Sequence, residues 1–382
     1  MTDRSVPLFE IDWSGDEVGN AVDSITRGSY WANGPYVEEF ESLLADQMGV
    51  EHAVVFNSGT SALISVLQGC DIGPGDEVIV PSFTFIATAN AVEAVGATPV
   101  FAEIEDQRYA LDPDDVADRI TPSTAAILPI HYAGIPCRIE ELRDLAREHG
   151  LTLVEDAAEA HGATVDGKPV GTFGDAGVLS FCQNKIIATG EGGGVVTDDP
   201  ELAERLRRVR SHGRASGEYF DSAGTGEYVS LGYNLRMPDV VAAIGVAQLN
   251  RIDDIVRRRR RVAADLTERL DAVDCVAPPA EPAGCRNVYQ LYTVRFDDGI
   301  DRNAVIEQLA ERDVASKVYF DPVHLTEYYR ARHGYTEGAL PRTEAVSEQV
   351  LSLPMHPSLS PRERDRVVEA VRDAVHSERC VR

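Results

Sequence analysis

From about residue 50 onward, short β-branched and apolar runs alternate with stretches whose apolar positions recur every three to four residues. This is the rhythm of an α/β domain built on a largely parallel sheet. The runs DEVIVPS (76–82), TPVFAEI (98–104), AAILPIH (125–131), LTLVEDA (151–157), GVLSF (177–181) and GGVVTD (193–198) predict strands. Between them, FIATANAVEAVG and IEELRDLAREHG predict helices that end in glycine, and in the second Ile139, Leu142, Leu145 and Ala146 fall on one face. DDPELAERLRRV carries its own start signals, with Asp199 as N-cap, Pro200 at the first helical position and Glu201 in the first turn.

Past residue 240, VVAAIGVAQLNRIDDIVRRRRRVAADLTERL has no proline and predicts one or two long helices. Arg257 to Arg261 reads as a solvated helix face rather than a nucleic-acid patch, because Asp253, Asp254, Asp265 and Glu268 surround it. CVAPPAEPAG then breaks the chain, and the remainder alternates strand (VYQLYTVRF) with helix (RNAVIEQLAERD). A chain of 382 residues exceeds what one core supports, about 250 to 300 residues. The expectation is therefore a large domain over residues 1–250 and a smaller C-terminal α/β domain over 251–382, with the segment 1–35 packing on the smaller one.

Composition narrows the partners. The net charge is −27, from 63 acidic and 36 basic residues, which disfavours nucleic acid and anionic membrane surfaces. Only Lys168, Lys185 and Lys317 are lysines, and the other basic residues are arginines. An acidic, lysine-poor surface suits a cytoplasm of high salt, where screening tolerates self-repulsion, and points to a halophilic source. Six scattered cysteines form no C-x-x-C pair, so neither a zinc site nor a redox motif is indicated, and reduced, mostly buried thiols are expected. MTDRSVPLFEIDW has neither a basic nor an apolar leader region and no run reaches the length of a membrane span, so a cytoplasmic location is expected.

Four features then carry chemistry. NSGTSAL places Gly59, Thr60 and Ser61 at the start of an apolar-periodic helix, where free N–H groups and the helix dipole favour an anion. The string is not a G-x-x-x-x-G-K-[ST] loop, and none occurs elsewhere. VEDAAEAHGA puts Asp156 at the carboxyl end of an apolar strand, either as a helix N-cap or facing something positive or proton-bearing. Lys185 follows GVLSF by four residues, and an ammonium in a partly buried cleft has its pKa pulled down from about 10.4, which makes the amine nucleophilic towards aldehydes. The glycines of GEGGG (190–194) either cradle a phosphate or let two buried segments approach. An aldehyde cofactor with a phosphate tail and a pyridine nitrogen, pyridoxal 5′-phosphate (PLP), needs all of these groups.

In order along the chain, NSGTSAL, GPGDEVIVPSFTFIATANAV, ILPIHYAG, VEDAAEAHGA, GTFGDAGVLSF, NKIIATGEGGGVVTDD and LGYNLRM resemble the sugar aminotransferases of PLP fold type I, the DegT/DnrJ/StrS group. The likeness extends from SYWANGPYVEEFE to LPMHPSLS. It implies Lys185 as the Schiff-base lysine and proton shuttle, Asp156 paired with the pyridinium nitrogen, and Phe85 stacked on the ring. Gly59, Thr60, Ser61 and Ser180 would bind the phosphate. Glu159 would lie near the ring hydroxyl, at a position often Gln or His in the group. Asn234 would reach the phosphate from a neighbouring subunit, which implies a homodimer with shared active sites. Cys182 beside the lysine reads as packing, and the roles of His131 and His161 stay open between structure and substrate contact.

The reaction the resemblance implies is two half-transaminations, from glutamate and then onto a nucleotide-linked keto-sugar. The spelling is most like enzymes acting at C4 of 4-keto-6-deoxy sugars, such as perosamine synthases. PLP-dependent sugar dehydration is disfavoured because its known representatives carry histidine at the position of Lys185. A PLP-sensing regulator is disfavoured because only some fifty residues precede NSGTSAL, where such proteins carry a DNA-binding module. From the charge balance, the melting temperature should rise between about 0.1 M KCl, where charges act over about 10 Å, and about 1 M, where they act over about 3 Å. Thermal denaturation across that series checks it, and an optimum at low salt would remove the halophilic reading.

Overall fold

The computed structural model of the chain describes residues 5–215 and 226–380. Seven strands form the central sheet: β1 (His52–Phe56), β2 (Glu77–Pro81), β3 (Thr98–Ala102), β4 (Thr124–Ile127), β5 (Thr152–Asp156), β6 (Ala176–Ser180) and β7 (Gly193–Thr197). Their spatial order is β1-β7-β6-β5-β4-β2-β3. Strand β7 runs antiparallel to both of its neighbours, β1 and β6, and the other pairings are parallel. The GGVVTD run thus enters the sheet in the opposite sense to the rest. Its reversal returns the chain to the carboxyl edge it has just left, so the connection carrying Lys185 lies where ligands of open α/β sheets bind.

Both faces of the sheet are covered, which is why its strands read as near-continuous apolar runs. On one face Val54, Phe56, Val78, Val80, Val154 and Val178 pack with three helices, α3 (Gly59–Gly69), α4 (Ala87–Ala94) and α7 (Pro200–Arg210). On the other, Val55, Leu179 and Val196 meet α2 (Pro35–Met48) and α8 (Asp239–Leu249), while Ile79, Ile127 and Leu153 meet α6 (Ile139–His149). Adjacent residues of one strand serve opposite cores, as a period of two requires. Helix α7 begins as its spelling predicts, with the Asp199 side chain accepting from the N–H groups of Glu201 and Leu202. Helix α6 ends at Gly150 in the left-handed conformation.

Two elements lie ahead of the stretch in which the alternation is legible, helix α1 (Gly15–Thr26) and helix α2, and strand β1 at its start is not among the predicted strands. Helix α1 has a capping box in which Ser14 and Glu17 satisfy each other's backbone N–H groups. The long C-terminal helical run divides at Asn250 and Arg251 into α8 and α9 (Ile252–Leu270). The first turns of α9 pack into the core of the large sheet through Ile252, Ile255 and Val256. Its later turns enter a second core through Val262, Ala263, Leu266 and Leu270. That core is centred on a three-stranded antiparallel sheet of Val276–Ala277, Tyr292–Phe296 and Val350–Leu353. Val6 is buried in it, donating to the Asp313 carbonyl at 2.7 Å and accepting from Ala315 N–H at 3.0 Å.

Arg259 departs from the expected solvated arginine face. It is buried, and its guanidinium donates to the carbonyls of Tyr289 (2.6 Å) and Gln290 (2.9 Å). Burial lowers its pKa to about 10, so it stays charged and binds two carbonyl dipoles. Its neighbours behave as expected, with Arg257 paired to Asp254, and Arg258 to Asp12 and Asp254.

The glycines after Lys185 divide their labour. Gly190 turns the chain at φ +91°, whereas Gly193 is needed for space: a Cβ there would stand 2.4 Å from the Ser58 carbonyl oxygen and 2.6 Å from the Gly59 nitrogen. Of the two roles open to them in the sequence, close approach of buried segments is the one Gly193 fills. Backbone atoms cannot yield as a flexible side-chain end does, and overpacking of this kind costs about 1–3 kcal/mol.

Candidate active site

The carboxyl ends of β1, β2, β5 and β6 converge on one edge of the sheet. Strand β1 ends at Phe56, and Ser58 caps α3, its hydroxyl accepting from Ser61 N–H at 3.0 Å. The Gly59 and Thr60 N–H groups of the first turn lie beyond the helix's own ladder and form an anion cradle there. Gly59 lies against Ser180, the last residue of β6; a Cβ on Gly59 would be 3.2 Å from the Ser180 Oγ. The Ser61 hydroxyl donates to Asn57 Oδ1 at 2.7 Å, so Asn57 and Ser58, absent from the predicted set, shape the cradle with it.

Asp156, at the end of β5, is buried with only 3% of its surface exposed. Its Oδ2 accepts from the Thr88 hydroxyl at 2.8 Å, which sits 2.8 Å from the Thr84 hydroxyl, and its Oδ1 accepts from Ala158 N–H at 3.1 Å. Among the described residues no arginine or lysine hydrogen-bonds to it. Desolvation raises the Asp156 pKa; Thr88, the Ala158 N–H and the Lys185 charge pull the other way, and desolvation wins. Thr84 and Thr88 escaped the sequence reading; Thr84 stands in the bend ahead of α4 and Thr88 in its first turn, and the fold brings the two hydroxyls together.

Lys185 lies on the connection between β6 and β7, its side chain 11% exposed. Its Nζ donates to Glu159 Oε1 at 3.2 Å, and Glu159 Oε2 accepts from Ala133 N–H at 2.9 Å. The amine therefore has a carboxylate beside it that is itself held by a backbone N–H. Phe85 is 57% exposed at the mouth of the site, its ring 6.1 Å from that of Phe320. Asn234 is not drawn into this group within one chain. It is exposed, on the segment that bridges Ser211, although its neighbour Leu235 accepts from Asn57 N–H at 2.9 Å beside the cradle.

The two histidines separate. His131 is buried and structural: Nδ1 accepts from Cys137 N–H at 3.1 Å, leaving the proton on Nε2, which donates to Glu155 at 2.9 Å. Glu155 also accepts from the N–H groups of Gly171, Phe173 and Gly174, so it fastens the GTFG loop behind β5. His161 is buried against Phe181, their ring centroids 5.4 Å apart; burial, reinforced by the Lys185 charge, holds its pKa down at about 3, and the ring is neutral. Cys182 is partly buried and lies 3.9 Å from Glu191.

An anion cradle, a buried carboxylate and an amine on one edge of a mostly parallel sheet define a PLP-dependent enzyme of fold type I. The chain belongs to the DegT/DnrJ/EryC1/StrS aminotransferase family, which matches residues 14–372. It is 40% identical over 341 residues to the GDP-perosamine synthase of Caulobacter vibrioides, covering 88% of this chain and 90% of that protein. It is 39% identical over 363 residues to a UDP-N-acetyl-3-dehydro-alpha-D-glucosamine 3-aminotransferase of Acidithiobacillus ferrooxidans, covering 94% of each. The solved structure of DesV from S. venezuelae superposes with a TM-score of 0.90 at 37% identity, covering 97% of this chain and 98% of that one. The protein is a PLP-dependent aminotransferase, and its residues fit that cofactor: the cradle suits a phosphate, and the Asp156 carboxylate, without a cation of its own, suits a protonated ring nitrogen.

Because the folded-state pKa of Asp156 is raised, its ionised form lowers the stability of the cofactor-free protein at neutral pH. That loss disappears as pH falls through the raised value. Asp156→Asn can keep both contacts, accepting from Ala158 N–H and donating to Thr88. The cofactor-free variant should therefore melt higher than wild type near neutral pH, with the gap closing in acid. Calorimetry across pH checks this, and equal melting temperatures at neutral pH would contradict it.

Proposed function

We propose that the protein transfers an amine from glutamate to a nucleotide-linked keto-sugar, a 4-keto-6-deoxy sugar, in glycan or glycoconjugate biosynthesis. The observation that carries this reading is the Lys185 amine held 3.2 Å from the Glu159 carboxylate on the edge shared with the cradle and Asp156. Gly59 and Thr60 N–H groups, with the Ser61 and Ser180 hydroxyls, would hold the cofactor phosphate. Asp156 would keep the ring nitrogen protonated, with the Thr84 and Thr88 hydroxyls fixing the carboxylate's orientation, and Phe85 would stack on the ring. The bound cofactor supplies the electron sink for a carbanion at the reacting carbon.

Lys185 is the amine that would hold the cofactor through its aldehyde, and its Nζ would be free once the amino donor is bound. The Lys185 amine would then take the proton from the donor carbon and give it back during the transfer, with Glu159 orienting the amine. The first half would thus release glutamate as 2-oxoglutarate with uptake of one water, and the second would run in reverse on the keto-sugar, whose carbonyl oxygen leaves as water as the carbon takes the amine. The spelling VEDAAEA…GTFGD…NKIIATGEGG supports C4 as the carbon.

The same reading divides the chain near residue 250 and requires two copies. Val18, Val22 and Ile25 form an exposed apolar stripe on α1, and Trp31, Leu231 and Tyr233 are also exposed, the last beside Asn234. An apolar face of this kind is suited to a second subunit, and Asn234 would then complete the partner's phosphate site.

Incubation of the purified protein with glutamate and a panel of keto-sugar nucleotides should give an amino-sugar from a 4-keto-6-deoxy substrate, read by mass spectrometry. Lys185→Ala should give no product and no visible cofactor band. Product from 3-keto sugars alone would move the carbon, and a band unaffected by Lys185→Ala would overturn the assignment. Mixing Lys185→Ala with Asn234→Ala subunits should restore about a quarter of wild-type turnover, since one site in four of a randomly reassorted dimer population is intact. No gain over the separate variants would remove the shared site.

A further inference from the structure

The backbone that carries Lys185 is held in an unusual way. The base of its loop is closed by main-chain bonds, from Phe181 N–H to Gly192, Gln183 N–H to Gly190 and Thr189 N–H to Phe181. The outer arc, residues 184–188, lies off the ladder; within it Lys185 N–H turns back to the Cys182 carbonyl at 2.9 Å. The groups on either side of the lysine are taken by one buried side chain. Gln290 donates from Nε2 to the Asn184 carbonyl at 2.7 Å and accepts at Oε1 from Ile186 N–H at 2.9 Å. Its carboxamide acts as a single inserted peptide group, supplying donor and acceptor to residues i−1 and i+1 of the lysine.

Gln290 is itself fixed on three sides. The buried Arg259 guanidinium binds its carbonyl and that of Tyr289. Gly134 passes so close that a Cβ there would be 3.0 Å from the Gln290 nitrogen. Two residues later the chain enters the strand Tyr292–Phe296 of the second sheet. A weaker brace comes from Gln248, which accepts from Ala188 N–H at 3.4 Å while its Nε2 binds the Asp12 carbonyl and Glu17.

We infer that Gln290 is a positioning residue for the amino transfer: its carboxamide sets where the Lys185 amine stands relative to Glu159 and Asp156, and ties that position to the second sheet. This rests on Lys185 being the lysine that bonds the cofactor. Gln290 holds the backbone on both sides of the lysine at once, and a displacement of about 1 Å at a reacting group slows a reaction by about a hundredfold. The amide is hard to replace, because a carboxylate would face the Asn184 carbonyl without a proton to offer and an apolar side chain would leave both backbone groups unpaired.

Two variants test it, Gln290→Met, which removes both bonds, and Gln290→Glu, which keeps the acceptor and loses the donor until it is protonated. In the cofactor-free protein, hydrogen exchange at the Ile186 amide should be faster than wild type in Gln290→Met and remain slow in Gln290→Glu. In the holoenzyme, the single-turnover reaction with glutamate, per bound cofactor, should slow by about tenfold to a hundredfold in both variants. The Gln290→Glu rate should recover relative to wild type as pH falls, since burial raises a carboxyl pKa and the protonated acid again donates to Asn184. Unchanged single-turnover rates in both variants, or losses that merely follow the fraction of folded protein, would overturn the proposal. Borohydride reduction of wild-type holoenzyme and peptide mapping separate the two assumptions. A label on Lys185 with unchanged rates removes only the role of Gln290, whereas a label elsewhere removes the reading beneath it as well.

Discussion

The backbone of Gly193 lies against that of Ser58 and Gly59, and much of the site's geometry follows from that contact. It brings the first turn of the helix after β1 onto the first residue of β7, the antiparallel strand. The anion cradle is thereby set at a fixed spacing from the loop that β7 closes, and Lys185 stands on that loop. Ser180, at the end of β6, faces Gly59 from the other side, and neither glycine has room for a Cβ without displacing a neighbour. Two positions without side chains thus let the strand that closes the lysine loop, and the end of β6, lie against the anion site.

The charges at this edge form a set whose members are incomplete alone. Asp156 is carried into the sheet with two hydrogen bonds and, among the described residues, no arginine or lysine bonded to it, at a desolvation cost expressed in its raised pKa. Lys185 and Glu159, also largely buried, satisfy each other. Such an arrangement leaves the protein short of one proton-bearing partner at Asp156, which fits the pyridine ring of the cofactor its family uses. Behind the site, Glu155 collects three backbone N–H groups and a histidine. Two adjacent residues of one strand, both acidic, thus have opposite fates because successive side chains point to opposite faces.

Much of the large sheet was legible because buried strands and amphipathic helices leave different periods in the sequence. Asp199–Pro200 and Gly150 marked helix ends through capping chemistry that is local. The elements before residue 50 were not picked out, although the Ser14–Glu17 box was a usable signal. Arg259 was misread for a definite reason. Its neighbours in sequence are acidic and solvated, but its own position on the helix turns inward to two carbonyls about thirty residues away. Thr88 and Gln290 were missed because their partners, Asp156 and the lysine loop, are distant in the chain, and a lone hydroxyl or amide carries no periodic signal.

The sequence by itself determined the alternation of strands and helices, the acidic surface, and the short inventory of a cradle, a carboxylate and a scarce lysine. Each of these depends on residues close together in the chain or on bulk composition. Only the tertiary structure decided that β7 runs backwards, that Glu159 rather than another acid meets the lysine, and that Gln290 braces the lysine loop from the second sheet. Those outcomes depend on which distant segments share one edge, and that is set by packing both faces of the sheet at once.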